Sequence, residues 1–322
     1  EQIDIGGPSM VRAAAKNFRD VLIVVNPEDY PGLLAALDEG PTAAFRFELM
    51  KKAFAHTGEY DSTIAATLLT VNAEDGQFSR KPLSGLLFSD EATLELALFK
   101  VRDLRYGENP HQAAGWYRAG GRDSGRSGFG DAQVLQGREL SYTNLLDLDA
   151  AARIALEFEE PAAVVIKHTN PCGAATGSST ADAYVRARQA DSLAAYGGIV
   201  ALNRPLDVDA ATAIVSTFIE AVIAPSVDEA AKAALAKKAN MRVVVANFSS
   251  FMREDMAWAD LEIRSILGAY LSQQRDRVIE ARRPWSAASL PEGFKVPTKR
   301  QPTDEEWEAL RFAWRICAHV KS

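Results

Sequence analysis

Hydrophobic and polar positions change their rhythm twice along the chain. Between positions 8 and 100 the spacing is mostly that of amphipathic helices, in PSMVRAAAKN, in PGLLAALDEG and in the stretch from Ala43 to Val71. The unbroken apolar run VLIVV at 21–25 is the one strand the pattern predicts there. Residues 103–131 lose periodicity. Gly, Asp, Arg and Ser crowd around GGRDSGRSGFG, which predicts a long surface loop and a domain boundary. From 133 to 246 short β-rich runs (VVIKH at 164–168, GGIVAL at 197–202, VIAP at 222–225, VVVA at 243–246) alternate with helical stretches at 144–159, 180–190, 209–218 and 227–238. Such alternation predicts an α/β sheet layered with helices. Beyond 250 come an aromatic-flecked linker, an apolar run around LEIRSILGAYL and a Pro-rich stretch at 284–302. The chain closes on an amphipathic helix whose start, PTDEEW, carries a capping box from Thr303 to Glu306.

Composition narrows the class. At 322 residues, 47% hydrophobic and 25% charged, the chain is long enough for about two domains and a large core. The net charge of −7, with no basic block, excludes an extended electrostatic grip on nucleic acid or anionic lipid, while leaving room for a small anion in a local pocket. Two cysteines, Cys172 and Cys317, cannot build a disulfide framework or a four-thiolate zinc site. No apolar run reaches the roughly 20 residues needed to span a bilayer. A reducing, cytoplasmic setting is therefore expected. Glu1 opens directly into a dense pattern, and FAWRICAHVKS stops within an apparent helix, so the chain reads as the middle of a longer polypeptide.

Three stretches carry candidate chemistry. In KHTNPCGAATG at 167–177 a strand delivers Lys167 and His168 into a turn expected from Asn, Pro and Gly, at the carboxyl end of a strand where open α/β sheets gather ligands. His168 is suited to a general base and Lys167 to holding an oxyanion or protonating a leaving nitrogen. The plainer alternative is a strand-end imidazole beside a solvated lysine. LRYGENPHQ at 104–112 sets Arg105 beside Tyr106, a pair that can grip a phosphate and stack on a ring, or form an ordinary turn with a surface arginine. In IDIGGPSMVRAAAKN, Gly6 and Gly7 precede Pro8 at a helix start whose backbone N–H groups can hold an anion. Asp4 and Lys16, twelve positions apart, would face one pocket only if the Gly-Gly turn redirected the chain. HTNPCG invites comparison with zinc deaminases, but Cys172 is followed by GAAT, so the second thiolate of that signature is absent.

Taken in order, IDIGGPSMVRAAAKN, LRYGENPHQ, LSYTNLLDLDAA, KHTNPCGAA, AAYGGIVALNRPLD, VIAPSVDEAA and FAWRICAHVKS resemble the AICAR transformylase/IMP cyclohydrolase family of bifunctional purine-biosynthesis enzymes. The resemblance implies formyl transfer from 10-formyltetrahydrofolate, as co-substrate, to AICAR, then closure of FAICAR to IMP with loss of water. It implies residues 1–100 as the C-terminal part of a methylglyoxal-synthase-like cyclohydrolase domain with a helical connection. Residues 101–250 would form a first cytidine-deaminase-like transformylase unit without catalytic metal, and 251–322 a linker and the start of a second. His168 would be the transformylase base and Lys167 its electrostatic partner. Arg105, Tyr106, Asn144, Gly197 and Glu220 would contact AICAR. Asp4 and Lys16 would be the cyclohydrolase's catalytic pair, with Ile5 against the nucleotide. Ala239 stands where some members carry a further phosphate-reaching Lys, which leaves Lys237 and Lys238 without an assigned role. A homodimer is implied, and the fragment by itself is expected to catalyse neither reaction. The rival reading is a nucleotide-binding or assembly module without turnover.

Overall fold

The computed structural model describes residues 2–80, 98–119, 128–248, 261–276 and 278–321. They gather into two units, Glu1–Glu95 and Leu96–Ser322.

In the first unit the helical spacing is realised as α1 (Gly6–Lys16), α2 (Tyr30–Glu39) and α3 (Ala43–Leu69). Thr42 caps α3 by accepting the Phe45 N–H at 3.2 Å. Small residues let α1 and α3 approach: Ala15 of α1 is buried, as are Leu49, Ala53 and Thr57 along one stripe of α3. Phe18 meets Phe47 edge to face at 5.5 Å, and the Arg12 guanidinium lies 5.4 Å over the Phe54 ring. The strand expected at VLIVV does not form. Residues 21–25 are half-buried irregular backbone that pairs with no strand among the described residues, and an apolar run becomes a strand only when a neighbour takes its N–H and C=O groups. Instead, a hairpin follows α3, from β1 (Val71–Glu74) and β2 (Gln77–Arg80). Its two-residue turn, Asp75-Gly76, has φ of 51° and 76°, a conformation that this dipeptide tolerates well.

The second unit opens with another hairpin, β3 (Leu98–Leu104) and β4 (Ala114–Ala119), so residues 103–131 are not one long loop. LRYGENPHQ is largely its tip, closed by Gly107 N–H to Gln112 O at 2.9 Å. Most of the Gly-rich stretch, 120–127, lies outside the described residues, as does the aromatic-flecked linker at 249–260.

A six-stranded sheet then forms from β5 (Gln133–Gln136), β6 (Ala162–Lys167), β7 (Asn170–Thr176), β8 (Gly198–Leu202), β9 (Ile219–Ala224) and β10 (Arg242–Val245), in the order β5-β10-β9-β8-β6-β7. The central three are parallel, and β5, β6 and β7 join antiparallel. The central runs are apolar at successive positions because both faces are covered. One face, with Val165, Val200, Val222 and Val243, packs on α5 (Thr180–Ala190), α6 (Val208–Val215) and α7 (Glu229–Leu235). The other, with Val164, Ile166, Ile199 and Ile223, packs on α4 (Tyr142–Ala155) through Leu148, Ala151 and Ile154. Each fully buried Val, Ile or Leu contributes about 1.5–3 kcal/mol, which makes this two-sided sheet the unit's main source of stability.

LEIRSILGAYL is a largely exposed hairpin, β11 (Leu261–Ile266) and β12 (Ala269–Gln274), turning at Leu267-Gly268. The closing helix, α8 (Asp304–Cys317), has the expected capping box and ends ahead of Lys321, the last described residue.

Candidate active site

The turn after β6 is where structure and sequence expectation differ most usefully. It consists of His168 and Thr169, at φ 55° and 62°, while Asn170, Pro171 and Gly173 belong to strand β7. Pro171 is accommodated because β7 is the sheet's edge, where a missing N–H breaks no inner ladder. Gly173 is required by packing, since a Cβ there would stand 1.9 Å from Ala187 O of α5.

The turn lies at the carboxyl end of a strand, as expected, but that strand is not one of the parallel set. His168 follows the carboxyl end of β6, but β6 runs antiparallel to β8, so the turn lies at the amino ends of the parallel strands. Gly197 just precedes β8, Glu220 is the second residue of β9, and Arg242 opens β10. Lys167 Nζ donates to Tyr196 O at 3.1 Å. Gly197, at φ 75°, donates its N–H to Phe218 O at 2.9 Å, while the Tyr196 and Phe218 rings lie 5.1 Å apart.

Two further stretches meet at this edge, the Arg105-Tyr106 turn and the run from Arg138 into α4. Asn144 is the N3 residue of α4: its Oδ1 accepts the Ser141 N–H at 3.1 Å, and its Nδ2 donates to Glu220 at 3.5 Å. Glu220 also lies 3.8 Å from the Arg242 guanidinium, which donates from Nε to Glu139 O at 3.2 Å. Burial lowers the Arg242 pKa, opposed by Glu220 and Tyr106 and reinforced by the nearby Arg105 and Arg138. Arg105 and Tyr106 are tied to the start of α4 by Arg105 N–H to Leu140 O at 3.0 Å and Tyr142 N–H to Tyr106 O at 3.1 Å. The Arg105 guanidinium sits 5.3 Å over the Tyr106 ring. One turn along α4, Asp147 accepts the Thr169 N–H at 2.7 Å. Burial pushes the Asp147 carboxyl up against the pull of the Thr169 and His168 backbone and of the imidazole's charge, with Glu220 adding to the rise.

The second unit thus brings together Arg105, Tyr106, Asn144, Lys167, His168, Gly197 and Glu220 from five separate stretches of chain. Two participants were missed in the sequence. Asp147 is three residues after Asn144 and shares its helix face, and Arg242 is a lone charge opening an apolar run; either spacing could have flagged them. A cleft of about 550 Å³ lined by Arg153, Arg275, Arg315 and His319, among others, touches this cluster only through Thr169 and holds none of the residues predicted from sequence. Its mix of acids and bases selects no ligand charge.

In the first unit Asp4 precedes α1. It donates its N–H to Tyr60 Oη at 2.8 Å and accepts the Gly7 N–H at 3.1 Å. A Cβ at Gly7 would lie 2.3 Å from Asp4 Oδ2, so a larger residue there would push the Asp4 carboxylate aside. Gly6 and Gly7 are the first turn of α1 and do not redirect the chain, so Lys16, at the far end of this 11-residue helix, is about 16 Å away along the axis. Ile5 is the exposed N-cap residue. Among the described residues no group of three or more His, Cys, Asp or Glu could hold a metal ion, and no helix is long and apolar enough to cross a membrane.

Comparison with known proteins covers the same ground. The family model described as the AICARFT/IMPCHase bienzyme matches residues 14–322. The chain is 47% identical to the bifunctional purine biosynthesis protein PurH of Anaeromyxobacter sp. (strain Fw109-5), over all of this chain and 59% of that protein. It is 47% identical to the PurH of Myxococcus xanthus (strain DK1622) and 46% to that of Cyanothece sp. (strain PCC 7425), covering 58% of each. The chain therefore spans a little under three fifths of these relatives' length. A family model that matches nearly the whole chain and relatives that align along all of it identify it: the chain belongs to the AICARFT/IMPCHase bienzyme family.

Proposed function

We propose that the protein carrying this sequence is a bifunctional enzyme of purine biosynthesis that formylates AICAR from 10-formyltetrahydrofolate and closes FAICAR to IMP. The observation that carries the reading is the convergence of Arg105, Tyr106, Asn144, Glu220 and the Lys167-His168 pair at one sheet edge. In the transfer step the AICAR amine nitrogen attacks the formyl carbon as the bond from that carbon to the folate nitrogen breaks. His168 accepts the amine proton, the departing folate nitrogen takes up a proton, and Lys167 stabilises charge on the formyl oxygen. Arg105 and Arg242 give the edge positive charge for a phosphate, Tyr106 offers a ring face, and Glu220 with Asn144 offers polar groups to the carboxamide and amine.

On this reading residues 1–100 belong to a cyclohydrolase domain with its helical connection, in which Asp4 and Lys16 act from opposite ends of α1 and Ile5 meets the nucleotide. Residues 101–250 form the first transformylase unit, resembling a cytidine deaminase without its zinc, and 251–322 lead into a second. The alternative, a nucleotide-binding module without turnover, shares the binding residues but needs no base; a formyl-transfer assay separates the two.

The binding half of the proposal is tested by thermal unfolding of the complete gene product with AICAR. Ligand at 100 times Kd adds about 2.7 kcal/mol of stability, which raises Tm by several degrees. No shift at millimolar AICAR contradicts the reading.

A further inference from the structure

The turn that carries His168 is made of residues that disfavour its conformation. A two-residue hairpin turn with both φ values positive ordinarily takes Asn-Gly or Asp-Gly, and here it takes His168 and the β-branched Thr169. Such a backbone persists only where its surroundings over-determine it. Two of the contacts that hold it are local, Thr169 Oγ1 to His168 O at 2.7 Å and Asn170 Nδ2 to His168 O at 3.5 Å, and a third is long-range, from the Lys321 N–H to Asn170 Oδ1 at 2.9 Å. The fourth comes from a helix locked into the core, where Asp147 Oδ1 accepts the Thr169 N–H at 2.7 Å beside the buried Leu148 and Ala151.

The choice of residue is informative. Burial pushes the Asp147 carboxyl up, with Glu220 nearby adding to the rise, so a charged group here opposes folding. Asparagine would offer the same acceptor to Thr169 without that charge. The ionisable groups that act on Asp147 are His168, on the turn it holds, and Glu220 of β9.

We infer that Asp147 is the positioning residue of the transformylase base, fixing the His168-Thr169 turn against α4. This rests on the transformylase reading of the site. The acceptor oxygen of Asp147 holds the turn, and an asparagine at the same position would keep that oxygen.

The test uses the complete gene product and its Asp147→Ala and Asp147→Asn variants, with kcat and KM for AICAR, Tm and the cyclohydrolase rate measured on each. Asp147→Ala is expected to lower transformylase kcat about 10²-fold, the loss typical of a loosened catalytic constellation, with KM for AICAR within about threefold of wild type. Asp147→Asn keeps an acceptor oxygen for the Thr169 N–H and is expected to hold Tm at or above the wild-type value and to restore transformylase kcat to within about threefold of wild type. Cyclohydrolase rates stay unchanged in both. Wild-type kcat in Asp147→Ala, or an Asp147→Asn variant as slow as Asp147→Ala, overturns the inference while leaving the transformylase reading intact. Absence of formyl transfer in the wild-type protein overturns both.

Discussion

Gly197 holds φ 75° just before β8, where its N–H must reach Phe218 O while its neighbour Tyr196 offers a carbonyl to Lys167. A side chain there meets both the left-handed backbone penalty and a Cβ contact of 3.3 Å with the Phe218 ring. Gly197→Ala is therefore expected to cost about 1–2 kcal/mol, read as a lower denaturant midpoint at unchanged slope, and to disturb Lys167 through Tyr196. An unchanged midpoint would mean that the turn relaxes freely and does not hold the edge. At this scale the sequence was most legible where residue type implies chemistry: the Lys167-His168 pair and the Arg105-Tyr106 pair are found on the same edge. It was least legible for Asp147 and Arg242, whose importance comes from what surrounds them after folding, namely a strained turn and a cluster of charge.

At the scale of elements, β6, β8, β9 and β10 could be read directly because two-sided burial gives each a run of three or more consecutive apolar residues. Strand β7 could not, since NPCGAAT carries the Pro and Gly of a turn, and only its edge position and the close approach of Ala187 O explain them. VLIVV failed in the opposite sense, with strand composition and no partner among the described residues. The capping box of α8 was legible because it is wholly local, and it makes a pH prediction. Glu306 accepts both Arg300 N–H groups, at 2.7 and 2.9 Å, and the Thr303 N–H at 2.9 Å. The Arg300 guanidinium first, and the Thr303 backbone second, hold its carboxyl down from 4.5 to about 2. A depressed acid stabilises the fold above its unfolded value and loses that contribution as pH falls through the folded one. The Tm advantage of wild type over Glu306→Gln should therefore be full above about pH 4.5 and fade toward pH 2. A constant difference would mean that Glu306 acts through shape alone.

At the scale of the molecule, each unit leaves apolar side chains uncovered. Met10, Leu34, Leu69 and Phe78 are exposed in the first unit, and Leu267, Tyr270 and Leu271 project from the β11–β12 hairpin of the second. Two-stranded hairpins are marginal without cover, and apolar patches of this kind mark protein interfaces. The complete gene product is expected to be a homodimer, and light scattering that returns a monomer mass at micromolar concentration would remove that expectation. What no run of residues announces at this scale is the placement of the site at the amino ends of the parallel strands, because the direction of β6 is set by its pairing and not by its composition.

The most direct test of the account compares formyl transfer to AICAR and closure of FAICAR in the complete gene product, in wild type, His168→Ala and Lys16→Ala. A base in the transformylase site and a separate cyclohydrolase site require His168→Ala to lose about 10²- to 10⁴-fold in formyl-transfer turnover and retain ring closure, with the reverse pattern for Lys16→Ala. Equal loss of both activities from either substitution, or formyl transfer undiminished in His168→Ala, would contradict the account.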